Sequence, residues 1–564
     1  MKKSLIQVAR GLVPADIVLK NGKILNVFTE EIITADVAIA GDTIAGIGAY
    51  EGEREIDCKG KFIAPGLIDA HVHIESSMVS PLEFAKQIIR TGTTGIIADP
   101  HEIVNVSGAA GMDYILDATE DIPVNAYIMI PSSVPATEFD TNGAGKFLAD
   151  DMEPYRSHPR VLGLGEMMRF TDVLAEHGET MEKLERFSDM MIDGHAPGIS
   201  GNDVQAYRAA GVRDDHECAA VEEGLEKLRA GYSILIREGS GAKNVETLVK
   251  GFLEAGVSLD QCMFCTDDRH LEDIEREGHI NVCVRKAIAL GVPVVKAYKM
   301  ASFHAARAYG LRDCGAVGAG YKADLLILDD LENAEPVTVI KSGKVVDEEW
   351  LDSFSYTLKD PSLLHTVIPG KLDADSLSLA RGEKNHVMEM VPGQLLTLHR
   401  YERIPGEGDR FVPDGTCSKL VVAERHGKNG KAGVCPIKGY GIRNGAVATT
   451  VSHDSHNIIA AGDNDEDILC AIRELERIQG GYVIASGGIV KDELPLEIGG
   501  LMSTEKAADV QKKTKEMVEE ARRMGVSEGV DPFITLSFMA LTVIPEIRLT
   551  EAGIFDVTRM KFMD

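Results

Sequence analysis

This chain is short of positive charge and of long apolar runs, and each shortage removes a class of function. Across 564 residues, 59 lysines and arginines stand against 89 aspartates and glutamates, a formal net charge of −30. A chain of that sign repels phosphate backbones and anionic bilayers, so neither nucleic acid nor a membrane is an expected partner. No apolar run approaches the roughly 20 residues of a spanning helix. The start carries Lys2 and Lys3 but meets Arg10 before any long apolar run, and is not expected to be a signal peptide. The nine cysteines, at 58, 218, 262, 265, 283, 314, 417, 435 and 470, have no disulfide-framework spacing, which points to a reducing cytoplasm. Repeats and low-complexity segments are absent too. What is present is a chain 44% hydrophobic and longer than one ordinary core needs. That is material for roughly three or four domains, or one large barrel with accessories.

The N-terminus reads as a small β unit. Residues 16–27 are two alternating runs around Asn21-Gly22, a hairpin signal, and residues 37–47 add two short strands around Gly41-Asp42. A second β-rich patch lies far away, at 323–328 and 337–346, with Ser342-Gly343 as its turn. A few strands are marginal alone, so the two patches are expected to share one composite β-sandwich domain, 1–62 plus 315–360.

Between the patches, short apolar strands alternate with helical stretches, the pattern of βα units and a parallel sheet. Strand ends are expected at His71, Asp99, Ile130, Glu166, His195, His216, Arg237 and Asp267. Eight units in residues 63–314 predict an α/β fold of the (β/α)8 TIM-barrel type, whose chemistry sits at the carboxyl ends of the strands. A doubly wound open sheet is the alternative. After Trp350 a polar linker leads to a C-terminal α+β domain, 365–564, with helices near 465–479 and 504–523 whose charged residues are expected to face water.

The stretch Pro65-Gly66-Leu67-Ile68-Asp69-Ala70-His71-Val72-His73 concentrates the chemistry. Histidines at i and i+2 of a strand point to one face, where two imidazoles can share a cation. Glu166, His195, His216, Asp267 and Asp99 stand at other strand ends. Four histidines and two or three carboxylates at one mouth form a mixed nitrogen and oxygen donor set suited to Zn, Mn or Fe, and large enough for two adjacent ions. Cys262 and Cys265 form a CxxC, but no second pair follows, so they are expected to be packing residues. The glycine-rich 315–324 lacks the strand before and helix after that a dinucleotide site needs.

Pro-Gly-Leu-Ile-Asp-x-His-x-His resembles the first-strand signature of the amidohydrolase superfamily of metal-dependent hydrolases. The continuation His73-Ile74-Glu75-Ser76-Ser77, the later Asp99-Pro100-His101-Glu102 and the long tail resemble its prokaryotic adenine deaminases. Many binuclear amidohydrolases carry a carboxylated lysine where this chain has Glu166, a departure that argues against dihydroorotase or hydantoinase chemistry. The resemblance implies His71, His73, Glu166, His195, His216 and Asp267 as ligands of two divalent ions, Mn2+ or Fe2+ ahead of Zn2+. It further implies hydrolytic deamination of a small purine, adenine, in purine salvage by a homo-oligomer, a dimer.

Asp267 is placed to take a proton from hydroxide. The second carboxylate that deamination needs is Glu166, with Glu102 behind it. Bridging two ions and donating a proton compete, so Glu166 carries two alternative roles. Alternatives in function are hydrolysis of a cyclic amide or N-acyl substrate, and a barrel kept as a non-catalytic scaffold. Asp99, His101 and Glu102 are further candidates, as are His453, Asp454 and His456 in the dense polar turn 451–457. That turn is read either as an ordinary cap or as a loop leaning over the mouth to contact the purine or a metal.

Overall fold

The computed structural model describes residues 4–563. Its first strands are β1 (Ala15–Asn26), β2 (Glu31–Ala40), β3 (Thr43–Gly48), β4 (Gly52–Asp57) and β5 (Phe62–Pro65). The hairpin expected at Asn21-Gly22 does not form, because β1 runs straight through it. Its register against β2 slips between Leu19 and Gly22, and Asn21 takes φ 56°. Asparagine tolerates that left-handed conformation, so the extra length is absorbed as a bulge. Tertiary partners decide this: the first half of β1 pairs with β4 and the second half with β5.

The next eight strands match those read from the sequence: β6 (Leu67–Val72), β7 (Thr93–Ala98), β8 (Asn125–Ile130), β9 (Val161–Met167), β10 (Met191–Gly194), β11 (Asp214–Asp215), β12 (Ser233–Arg237) and β13 (Cys262–Cys265). They form a five-stranded sheet, β10-β9-β8-β7-β6, and a three-stranded sheet, β11-β12-β13, with parallel neighbours throughout. The sheets touch on both flanks. On one, Asp267 N donates to His71 O at 2.9 Å and His73 N donates to Asp267 O at 3.0 Å; on the other, Arg213 N donates to Ile192 O at 3.0 Å. β6 and β7 are buried along their whole length, as strands covered on both faces must be. The helix Pro81–Arg90 shows how the cover is made. Ser80 caps it by accepting from Glu83 N, Pro81 sits at the first turn, and Leu82, Phe84, Ala85, Ile88 and Ile89 make one buried face.

The chain then re-enters the first sheet through β14 (Leu325–Leu328), β15 (Pro336–Lys341) and β16 (Lys344–Val345). β14 pairs antiparallel with β5, Leu325 opposite Pro65 and Leu328 opposite Phe62. The two distant β patches therefore share one eight-stranded sheet, in the order β16-β15-β14-β5-β1-β2-β3 with β4 beside β1. Cys262 and Cys265 are buried and unbridged within β13.

The C-terminal residues build a second eight-stranded sheet between Asn385–Met390 and Ile489–Pro495. Helix Asp465–Ile478, capped by Asn464, lays Ile468, Ala471, Ile472 and Leu475 against it. Glu466, Arg473, Glu476 and Arg477 are exposed, whereas Asp467 is buried and accepts from Gly488 N. One apolar core nevertheless runs from Leu67, Val72 and Ile103 of the parallel strands into Leu501, Leu536 and Leu549. That shared core presses two C-terminal segments, 452–457 and 538–545, onto the strand ends.

Candidate metal centre and active-site cavity

At the carboxyl ends of the parallel strands lies a cavity of about 480 Å³, lined by Glu166, His195, Arg237 and Asp267 of the strand ends, with His71 and His216 against Glu166. His71 and His73 leave β6 with Nε2 atoms 3.2 Å apart. His73 Nδ1 donates to Asp99 O at 2.8 Å, which leaves Nε2 as the nitrogen facing the cavity. That nitrogen stands 3.2 Å from Glu166 Oε1 and 3.0 Å from Asp267 Oδ1. His71 Nε2 is 3.8 Å and 3.7 Å from the same two oxygens.

Glu166, the end of β9, is the hub. Its Oε1 is 3.2 Å from His73 Nε2 and 3.2 Å from His101 Nδ1; its Oε2 is 2.5 Å from His195 Nδ1 and 3.2 Å from His216 Nε2. Its backbone is held from behind, where Glu166 N donates to Asp99 Oδ2 at 2.9 Å. That approach requires Gly165, because a Cβ there would land on the Asp99 carboxylate. Asp267 takes φ 60° just past β13, a left-handed conformation that aims its carboxylate back over β6.

The donor set fits divalent cations. Three overlapping groups have ligand atoms that converge: His71, His73 and Glu166; His71, His216 and Asp267; Glu166, His195 and His216. His71 Nδ1 and both nitrogens of His216 are buried without a hydrogen-bond partner. Burial holds His71 well below its ordinary value, hence neutral, as a ligand must be. Burial opposes charge on Glu166 and Asp267, yet His195 beside the first and Arg237 beside the second keep both well below the carboxylate range. Burial also opposes charge on His73, but Asp267 and Glu166 outweigh it and draw a proton onto the ring. That proton sits on Nε2, between the two carboxylates, and a cation held there would take its place.

The lower-ranked candidates also converge. Glu102 Oε1 accepts from His453 Nδ1 at 2.5 Å, and its other oxygen accepts from His456 Nε2. Asp454 Oδ1 is 4.0 Å from His101 Nε2, and His101 Nδ1 is 3.8 Å from Asp99 Oδ1. Asp99 itself turns its carboxylate to the Glu166 backbone rather than into the cavity.

Sequence reasoning missed Glu217 and Arg237. Glu217 Oε1 lies 3.5 Å from His216 Nε2 and 3.8 Å from His195 Nδ1, and Arg237 Nη1 pairs with it and with Asp267 Oδ2. The signal existed: Glu217 follows a strand-end histidine and Arg237 ends a strand. The apolar wall of Leu395, Phe538, Leu541, Val543 and Ile544 carried no signal, since only folding brings residues so distant to the cavity.

An α/β fold that gathers buried histidines and carboxylates at parallel strand ends defines an amidohydrolase, and the amidohydrolase family model matches residues 62–371. The model of the adenine deaminase C-terminal domain matches residues 394–561. An adenine deaminase of Desulfitobacterium hafniense (strain Y51) is 44% identical over 562 residues, covering 100% of this chain and 98% of its own. Adenine deaminase 2 of Carboxydothermus hydrogenoformans is 43% identical, covering 99% and 98%. This chain belongs to the adenine deaminase family of the amidohydrolases.

Proposed function

We infer that this protein is a metal-dependent hydrolase that converts adenine and water to hypoxanthine and ammonia. Full-length similarity to adenine deaminases supports the substrate. The observation that carries the site is Glu166, each of whose oxygens faces its own set of histidines. The eight parallel strands, in contact on both flanks, are read as a closed (β/α)8 barrel. His71, His73, Glu166 and Asp267 would hold one divalent ion and Glu166, His195 and His216 a second, with Glu166 shared. Manganese and iron suit this nitrogen and oxygen donor set, as does zinc. Bound there, such ions lower the pKa of water towards about 7 and so supply a nucleophile at neutral pH.

The chain's own groups do the rest. Asp267 takes one proton of the attacking water and passes it to the departing ammonia, while the water's other proton ends on the ring nitrogen next to the reacting carbon; His73 and Arg237 set the carboxylate's position through contacts of 3.0 and 2.6 Å. With each oxygen facing histidines, Glu166 would serve as a ligand to both ions, and this reading favours ligation over proton transfer for it. Leu395, Phe538, Leu541 and Ile544 cover the cavity and exclude water from the reacting carbon.

Two measurements on one preparation test the reading: metal content, and loss of adenine absorbance with ammonia release. About two equivalents of metal with adenine turnover is the expected result. Ring opening of hydantoin or dihydroorotate without ammonia release from adenine would move the protein to the amide hydrolases.

A further inference from the structure

The polar loop that the C-terminal part lays over the cavity contains a buried carboxyl group with an unpartnered oxygen, Asp454, besides the buried hydroxyl of Ser452. Glu102, His453 and His456 have the composition of a metal site, but their hydrogen bonds argue otherwise. Ser452 N donates to His456 Nδ1 at 3.2 Å, so the ring proton is on Nε2, where it is given to Glu102. A nitrogen that carries a proton is no ligand. Burial holds His456 down at about 4, in keeping with that neutral tautomer. The trio is therefore a clamp in which a carboxylate from the barrel side grips two histidines of the C-terminal loop.

The clamp fixes what stands between those histidines. His453 stacks on Phe538 with ring centroids 4.4 Å apart and planes 14° apart. His453 N donates to Ser537 O at 3.0 Å, His456 N to Ser452 O at 2.7 Å, and Asn457 Nδ2 to Thr141 O at 2.9 Å. Asp454, in the middle, lines the cavity and is 7% exposed. Its Oδ2 is buried with no hydrogen-bond partner, and Oδ1 has only His101 Nε2, at 4.0 Å. A carboxyl group left unsatisfied costs stability unless a ligand completes it. The other cavity carboxylates are engaged: Glu166 and Asp267 in the candidate metal centre, Glu217 by Arg237, Glu102 by the clamp, and Asp268 by the Ser76 hydroxyl.

We propose that Asp454 is a substrate-binding residue, contributed from outside the barrel, that makes a direct hydrogen bond to a ring nitrogen of the purine. This rests on the adenine reading above and adds the contact that orients the base. A carboxyl group can accept from a ring N–H or, when protonated, donate to a bare ring nitrogen, and burial pushes Asp454 up to about 7, where both forms are populated. Apolar Phe538 and Leu541 flank the same wall and suit the faces of the ring.

The test uses the metal-loaded full-length protein and purines that lack the amino group, so that binding is read without turnover. Dissociation constants are measured by calorimetry for purine, its 1-, 3- and 7-deaza analogues and 9-methylpurine, against wild type, Asp454→Ala and Asp454→Asn. Asp454→Ala is expected to weaken purine binding and raise KM for adenine by about 10- to 100-fold, the range of a hydrogen bond to a charged group. One analogue should lose affinity in the wild type and lose no more in the variant, which identifies the ring atom. Unchanged affinity in both variants, or a variant that discriminates among the analogues as the wild type does, overturns the proposal. If Asp454→Ala does not fold, Asp454→Asn decides by the same criteria, with metal content as the control. Absence of ammonia release from adenine in the wild type would instead defeat the substrate reading, a separable failure.

Discussion

Arg237 Nη1 stands 2.6 Å from Asp267 Oδ2 and pairs with Glu217 through the same nitrogen. Arg237 is the cation that keeps Asp267 ionised despite burial, and it does so from the strand next to the one that delivers Asp267.

That relationship makes a pH prediction. Asp267 must be ionised to accept a proton, and its pKa is depressed by Arg237. Removing the guanidinium in Arg237→Gln raises that pKa, so the acid limb of the kcat/KM profile should move to higher pH, with activity lost first on the acidic side. An acid limb that stays in place would show that Asp267 is not the group that titrates there.

Glu166→Gln keeps the shape of the hub and removes its charge. Because both oxygens face histidines, we expect metal content to fall in elemental analysis together with a loss of activity of at least about 10²-fold. Full metal content with lost activity would reassign Glu166 to proton transfer.

Gly165→Ala puts a methyl group on the carboxylate that holds the Glu166 backbone. Asp99 is fully buried and cannot step aside. The variant should lose activity and metal affinity while Glu166 itself is untouched, measured by chelator competition. Wild-type behaviour would mean that the Asp99 support is dispensable.

His453→Ala leaves the buried Oε1 of Glu102 with only the longer contact to His101 Nε2, at 3.4 Å, a cost of about 1 to 3 kcal/mol. Thermal melting should fall, and turnover should fall with it because the clamp loosens over the cavity. A chain cut near residue 365 should be inactive and poorly folded, since the cut halves one continuous apolar core. A stable, fully active truncated chain would separate the C-terminal part from catalysis.

The sequence alone determined what depends on neighbours along the chain. The eight buried strands were legible because each is a short apolar run between turn or helix signals, and strand alternation put His71 and His73 on one face. The ligand types at the strand ends followed, because each is the last residue of its own run or lies just beyond it. Tertiary structure decided what depends on distant pairing. It turned Asn21-Gly22 from a hairpin into a bulge, since β1 gains two parallel partners by continuing. It set Glu166 among histidines from four separate segments, with each oxygen facing its own set, a geometry that no spacing encodes. It placed Arg237 against Asp267, 30 residues apart, and brought His453 and His456 to Glu102 across more than 350 positions. Local periodicity is written in adjacent residues; which charge meets which is settled only when the apolar core closes and forces buried groups to find partners.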